Sequence, residues 1–321
     1  MNETELDRLA ADVVRRVLRS GHAGAGHAAT RGAGAVESGV ARGAARPLED
    51  LSWRGPQVPL GAWTPAAGPR RVADFVDHTL LKPEATRADI LKLCAEARRH
   101  RFAAVCVNPV WVDVCARELV GTDVAVASVC GFPLGATTSR AKATEAAEAV
   151  ARGAAEVDMV AALGHMRGGE WGYVEEDVRA VVEAARGALV KVIIESAVLA
   201  PEDIVRASAV AQLAGAHFVK TSTGFHPAGG ATTDAVRLMR LTVGDDLGVK
   251  AAGGVRDCTT ALAMIAAGAS RIGTSSGVAF VDCLGPAPLK LAELLAKPEA
   301  HGATCTTGVC AAPASGGEQV Y

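Results

Sequence analysis

Beyond residue 70 the chain alternates short apolar runs with longer stretches in which apolar residues recur every three or four positions. The runs cover residues 72–81, 102–109, 124–133, 155–163, 188–196, 216–224, 247–254 and 270–277. Most are continuously apolar rather than alternating, the pattern of parallel strands covered on both faces. Stretches 85–100, 139–153, 175–187, 201–215 and 257–268 have helical spacing; several end in glycine, and Pro201 opens one at a first-turn position. Eight strands with helix-length crossovers predict a (β/α)8 TIM barrel of the α/β class. A doubly wound open sheet shows the same alternation. Polar residues recur at the ends of nearly all the strands, which favours closure, because an open sheet would gather them at its switch point.

The two ends of the chain lack this alternation. Residues 2–19 predict a helix, with Asn2 as cap, Glu5 at the capping-box position and a stripe of Leu6, Leu9, Val13, Val17 and Leu18. A Gly/Ala-rich stretch follows and reads as a flexible linker, with Trp53 and Trp63 placed to pin its far end. His22 and His27 lie in it without partner ligands, so a solvated linker is preferred to a metal site. Residues after 297 are again low in complexity and read as a flexible tail; Cys305 and Cys310 there have no further ligand nearby. The predicted organisation is a helix and linker over 1–70, a barrel over 71–296 and a tail over 297–321.

Composition narrows the class. The 321 residues are 50% hydrophobic and 21% charged, with a net charge of −2 and 4% aromatics, which gives no basic surface for nucleic acid. No window approaches the roughly 20 apolar residues of a membrane helix. The polar start MNETELDRLA is unlike a secretory signal, and the eight cysteines are scattered without paired spacing. The expectation is a cytoplasmic protein with reduced thiols and neither nucleic acid nor membrane as partner.

Chemistry enters at the strand ends, where barrels build their sites. Those ends supply Asp77, Asn108, Asp158, Lys191, Lys220 and Lys250. Lys220 is the most conspicuous: it interrupts the apolar run AHFVK and opens directly into the turn TSTG. A buried ammonium is costly and tends to lose its proton, which makes such a lysine a candidate amine nucleophile. Each residue has a plainer reading in isolation. Lys220 could snorkel to solvent, Asp77 cap a turn, Asp158 form a structural ion pair, Lys191 pair with Glu195, and Lys250 neutralise an aspartate. Three lysines and two aspartates on one barrel mouth exceed what a structural network requires. A second constellation suits phosphate: AGGVR with Gly253 and Gly254 follows the seventh strand, and GTSSG with Ser275 and Ser276 follows the eighth, before a short helix. Backbone N–H groups, hydroxyls and a helix N-terminus there favour an anion. Together these features predict a Schiff-base enzyme acting on a phosphorylated carbonyl compound.

The segments DHTLLKP, VCGFPLGATT, EVDMV, KVIIE, FVKTSTGF, VKAAGGVR and RIGTSSG, in this order, resemble the deoxyribose-phosphate aldolases of the Schiff-base (class I) type. The resemblance runs from about residue 72 to 296. It implies a (β/α)8 barrel that reversibly cleaves 2-deoxy-D-ribose 5-phosphate to acetaldehyde and D-glyceraldehyde 3-phosphate in deoxyribose phosphate catabolism, without metal or organic cofactor. Carried over by motif, the Schiff-base lysine falls on Lys220, the second lysine on Lys250 and the proton-transfer aspartate on Asp158. Asp77 and Lys191 would orient the proton relay and the substrate hydroxyls; Gly224, Gly253, Gly254, Ser275 and Ser276 would hold the phosphate.

Four positions depart from the family pattern: His217 where aspartate is usual, Ala161-Ala162 where Ile-Asn is common, and Phe225, which some members replace by lysine. None removes a catalytic group, but Phe225 leaves one charged phosphate contact absent. Tyr321, on the tail, is a candidate for assisting proton transfer. A transaldolase-like or ketose-phosphate aldolase would share the lysine and differ in donor. A catalytically silent phosphate sensor would be expected to lack one of Lys220, Lys250 or Asp158. The sequence admits a homo-oligomer without fixing one.

Overall fold

Val or Ile occurs in every one of the eight strands, and each strand is followed by a stretch that returns the chain to the same end of the sheet. In the computed structural model, which describes residues 71–285 and 287, the strands are β1 (Val76–Leu80), β2 (Ala104–Val107), β3 (Ala125–Cys130) and β4 (Glu156–Val160), then β5 (Leu189–Ile193), β6 (Phe218–Lys220), β7 (Gly248–Ala252) and β8 (Arg271–Thr274). All neighbours pair in parallel in chain order, and β8 pairs with β1 to close the barrel. The closed barrel, not the open sheet, is the fold.

The outer layer among the described residues is α1 (Arg87–His100), α2 (Val112–Glu118), α3 (Ser139–Ala151), the short α4 (Leu163–Arg167) and α5 (Trp171–Ala184), followed by α6 (Pro201–Leu213), α7 (Thr233–Val243), α8 (Cys258–Ala266) and α9 (Gly277–Leu284). Their starts follow local chemistry. Thr86 and Asp89 form a reciprocal capping box on α1, Asp257 accepts from the Thr260 amide at 2.8 Å on α8, and Pro201 opens α6. None of the described helices is long and apolar enough to cross a membrane. The main core lies between strands and helices. There the outward residues Val105, Val157, Met159, Val190, Val192, Val219, Val249 and Ile272 meet the inward stripes of the helices.

The first predicted strand begins four residues late. Val72–Phe75 form a 3-10 turn before β1, because Asp74 turns back to the amide of Arg71 at 2.8 Å and the local bonds outcompete extension. Val72, Ala73 and Phe75 are nonetheless buried, so their apolar pattern serves packing rather than a ladder. The predicted N-terminal helix, the linker with His22, His27, Trp53 and Trp63, and the tail with Cys305, Cys310 and Tyr321 lie outside the described residues.

Candidate active site

Alternate residues of the strands point into the barrel, and on six strands these include charged side chains, from Glu156 and Arg271 at strand starts to Lys220 at a strand end. Of the residues expected at carboxyl ends, Asp77, Asp158, Lys191 and Lys250 lie within their strands. Asp77 on β1, Glu156 and Asp158 on β4, Lys191 on β5, Lys220 on β6, Lys250 on β7 and Arg271 on β8 form one buried network. Asp158 is its hub. Its Oδ1 accepts from Lys191 Nζ at 2.7 Å, and its Oδ2 accepts from Lys220 Nζ at 2.8 Å and Lys250 Nζ at 2.7 Å. Asp77 Oδ2 lies 2.6 Å from Lys250 Nζ and 3.6 Å from Lys191 Nζ, while its other oxygen accepts from Arg271. Glu156 pairs with Lys191 at 2.6 Å and takes Arg271 in a two-pronged contact at 2.9 and 3.3 Å.

Register explains the convergence. Asp158 lies beside Lys191, Lys220 beside Lys250, and Lys250 beside Arg271 in the ladder. Room for these long side chains comes from small residues on neighbouring strands. A Cβ on Gly273 would stand 3.0 Å from Lys250 Cε, and one on Gly248 would collide with the Phe218 ring. Arg271 lies over that ring at 5.8 Å, a cation–π contact at the base of the network.

The protonation states divide the lysines. Burial, with Lys250's cation acting in the same direction, brings Lys220 below the ordinary lysine value against the opposing pull of Asp158. For Lys250 burial is again the largest influence, but Asp158 and Asp77 outweigh it and hold the ammonium charged. Lys191 is also raised: burial opposes its charge, and Asp158, Asp77 and Glu156 overcome burial together with Lys250's repulsion. The carboxyls of Asp158 and Asp77 sit below the usual range despite burial, because the surrounding cations favour their charged forms. Lys220 is the one of the three whose charged form its surroundings disfavour.

Opposite the charges, the inner wall is apolar: Leu81, Cys106, Ala127 and Val129, with Phe132 and Phe225 packed on them. Phe132 and Phe225 meet edge-to-face at 5.1 Å. Cys106 Sγ lies 4.0 Å from Asp158 Oδ2, so this wall reaches the immediate surroundings of Lys220. Phe225, read from sequence as a missing phosphate contact, is part of that wall.

The glycine loops lie beside Lys220. Gly224, Gly253 and Gly254 all have positive φ, +83°, +85° and +80°. A Cβ on Gly253 would sit 3.0 Å from the Gly230 Cα and 3.4 Å from the Gly224 Cα, so three backbones crowd at one point. This is the close approach that glycine permits. Thr274 Oγ1 donates to Val255 O at 2.8 Å and accepts from the Ser276 amide at 2.9 Å, which ties the loop after β7 to the loop after β8. Ser276 precedes α9, and Ser275 is exposed beside it. The loops after β7 and β8 are thereby held together at the start of α9, where the Ser275 and Ser276 hydroxyls lie.

Asp77, Asp158, Lys191, Lys220 and Lys250 are thus brought into one network, and the five predicted loop residues lie on the loops that follow β6, β7 and β8. Asn108 is not part of the network; its side chain donates to Leu81 O at 3.1 Å and braces the loop after β1. The suggested pairing of Lys191 with Glu195 is absent. Glu195, at φ 51°, turns its carboxylate to Thr223, accepting from its hydroxyl at 2.5 Å and from its amide at 3.3 Å. Thr223 Oγ1 accepts in turn from the Phe225 amide at 3.1 Å, so Glu195 shapes the turn that follows Lys220. Glu156, Arg271 and Gly230 were not singled out from the sequence. For Glu156 a signal existed: it stands two residues before Asp158, on the same face of a strand.

The chain matches the family model described as DeoC/LacD family aldolase over residues 71–281. It is 58% identical over 212 residues to the deoxyribose-phosphate aldolase of Geobacillus sp., covering 66% of this chain and 95% of that one. The deoxyribose-phosphate aldolase of Thermotoga maritima is 55% identical over 217 residues, 68% of this chain and 87% of the relative. Among solved structures, the tetrameric deoxyribose phosphate aldolase from Aeropyrum pernix superposes with a TM-score of 0.62 at 34% identity, covering 66% of this chain and 89% of that one. Barrel, buried lysines, glycine loops and relatives agree: the chain belongs to the DeoC/LacD family of aldolases.

Proposed function

We infer that the protein is a 2-deoxy-D-ribose 5-phosphate aldolase working through a Schiff base on Lys220. The observation that carries this is Lys220 Nζ itself: buried, disposed to lose its charge, 2.8 Å from the carboxylate of Asp158, and adjacent to the glycine loops. Its amine adds to the C1 aldehyde, and loss of water leaves an iminium that withdraws electrons. The carbon beside the iminium is C2, so the bond that breaks is C2–C3. Its electron pair forms the enamine, and the C3 hydroxyl gives up its proton as glyceraldehyde 3-phosphate leaves. Protonation of the enamine at C2 and hydrolysis release acetaldehyde and restore the amine.

Asp158 is placed to move these protons, and Lys250 and Lys191 hold its carboxylate in position. Asp77, bound to Lys250, keeps that cation charged beside Lys220. Gly224, Gly253, Gly254, Ser275 and Ser276 anchor the phosphate and so fix C1 over the amine. The apolar wall of Cys106, Ala127 and Val129 suits a donor with a methyl group rather than a hydroxylated one, which favours acetaldehyde over the dihydroxyacetone of a ketose-phosphate aldolase. The reading includes a cytoplasmic enzyme that assembles as a homo-oligomer, supported by the tetrameric relative from A. pernix; light scattering of the purified protein tests the assembly. Cleavage of deoxyribose 5-phosphate, followed by coupled reduction of acetaldehyde, tests the activity. Turnover with this substrate is expected, and turnover confined to ketose phosphates would overturn the reading.

A further inference from the structure

The buried network holds three carboxylates, Asp77, Glu156 and Asp158, and four basic side chains, Lys191, Lys220, Lys250 and Arg271. Every carboxylate oxygen in it faces at least one of these bases. Three negative charges in a medium that solvates charge poorly are balanced by three positive ones, and a fourth cation would be in excess. Arg271 cannot supply the neutral member, since a guanidinium keeps its proton. It also binds both Asp77 and Glu156, withdrawing negative charge that would otherwise stabilise another ammonium. The remaining groups around Lys220 do not alter this count. Cys106 on β2 is a thiol that burial holds protonated, β3 presents Ala127 and Val129, and Glu195 beyond β5 turns to Thr223 and forms an ion pair with none of the four bases.

We propose that Arg271 is a positioning residue acting through its charge: by completing the balance at the base of the barrel, it leaves Lys220 as the uncharged amine. It does so without touching the substrate, from the position beside Lys250 in the ladder. The inference rests on the aldolase reading only in naming Lys220 as the nucleophile. Losing the guanidinium leaves a surplus carboxylate charge that a proton on Lys220 neutralises; losing the Glu156 carboxylate has the opposite effect.

The test follows Lys220 modification against pH, by borohydride trapping with acetaldehyde and, independently, by amidination with methyl acetimidate. In Arg271→Met the acidic limb of the profile is expected to move up by about one pH unit, within the range one neighbouring charge produces. In Glu156→Gln it should move down, and in Arg271→Lys, which restores the charge, it should stay near the parent. An unmoved limb in Arg271→Met, or a shift of the Met and Gln variants in the same direction, would overturn the proposal. Should Arg271→Met fail to fold, a downward limb in Glu156→Gln supports it, and an unmoved or upward one refutes it. Failure of acetaldehyde to trap the parent protein would instead count against the aldolase reading, while amidination would still report the state of Lys220.

Discussion

Along β4, Val157 and Met159 belong to the apolar shell under the helices, whereas Glu156 and Asp158, on the alternate positions, join the charged network inside the barrel. Neighbouring strands repeat the contrast: Val190 and Val192 against Lys191, Val219 against Lys220, and Val249 and Ala251 against Lys250. The outer face is closed by shape and tolerates changes according to the volume they remove. The inner face is held by mutual charge, so each removal leaves a buried partner without its counter-ion, at about 3–5 kcal/mol. One sheet therefore separates stability from chemistry by a period of two residues.

That division can be broken at either face. The largest effect is expected from Asp158→Asn, which keeps the shape of the hub but removes its charge and its ability to take a proton. It should lower kcat/KM for deoxyribose 5-phosphate by about 10²–10⁴, the usual worth of positioned acid–base catalysis, in steady-state assays. Lys250→Met removes the cation beside Lys220, so the nucleophile's pKa should rise. The acidic limb of the pH–rate profile then moves up by about 1–3 units, and activity at neutral pH falls accordingly. A profile unshifted at full activity would remove Lys250 from the site.

On the outer face, Met159→Ala should cost about 2–5 kcal/mol in urea unfolding, because Met159 is fully buried, while KM stays within about twofold. A large loss of activity in that variant's folded fraction would contradict the division of faces. The smallest effect is expected at the rim. Phe225→Lys places an ammonium on the turn beside Gly224 and should lower KM for the phosphorylated substrate roughly threefold at low salt. The gain should fade at high ionic strength, as a screened interaction must.

How much of this was legible in the sequence follows from the same contrast. Parallel strands covered on both faces leave continuous apolar runs, and a lysine that interrupts one, as Lys220 does, is visible at once. The GG and SS loops were legible because their residue types are those that let backbone approach an anion. Arg271 and Glu156 were not, because each opens its strand, where a charge resembles an exposed entry. Only closure of the barrel brings Arg271 to Asp77, 194 residues away, and to Glu156, 115 residues away. The alternative pairing of Lys191 with Glu195 fails for a related reason: a spacing of four faces a helix neighbour but lies about 13 Å off along a strand. The 3-10 turn at Val72–Phe75 was misread because its apolar residues are buried like a strand's, while the bond from the Arg71 amide to Asp74 decides its backbone.

Everything proposed for the site turns on Lys220, rather than either of the two other lysines ion-paired with Asp158, forming the covalent bond. The protein incubated with acetaldehyde and borohydride, digested and mapped by mass spectrometry, tests this directly. An N-ethyl group is expected on Lys220, and it should disappear in Lys220→Met together with turnover. An N-ethyl group on Lys191 or Lys250 in the parent protein would contradict it.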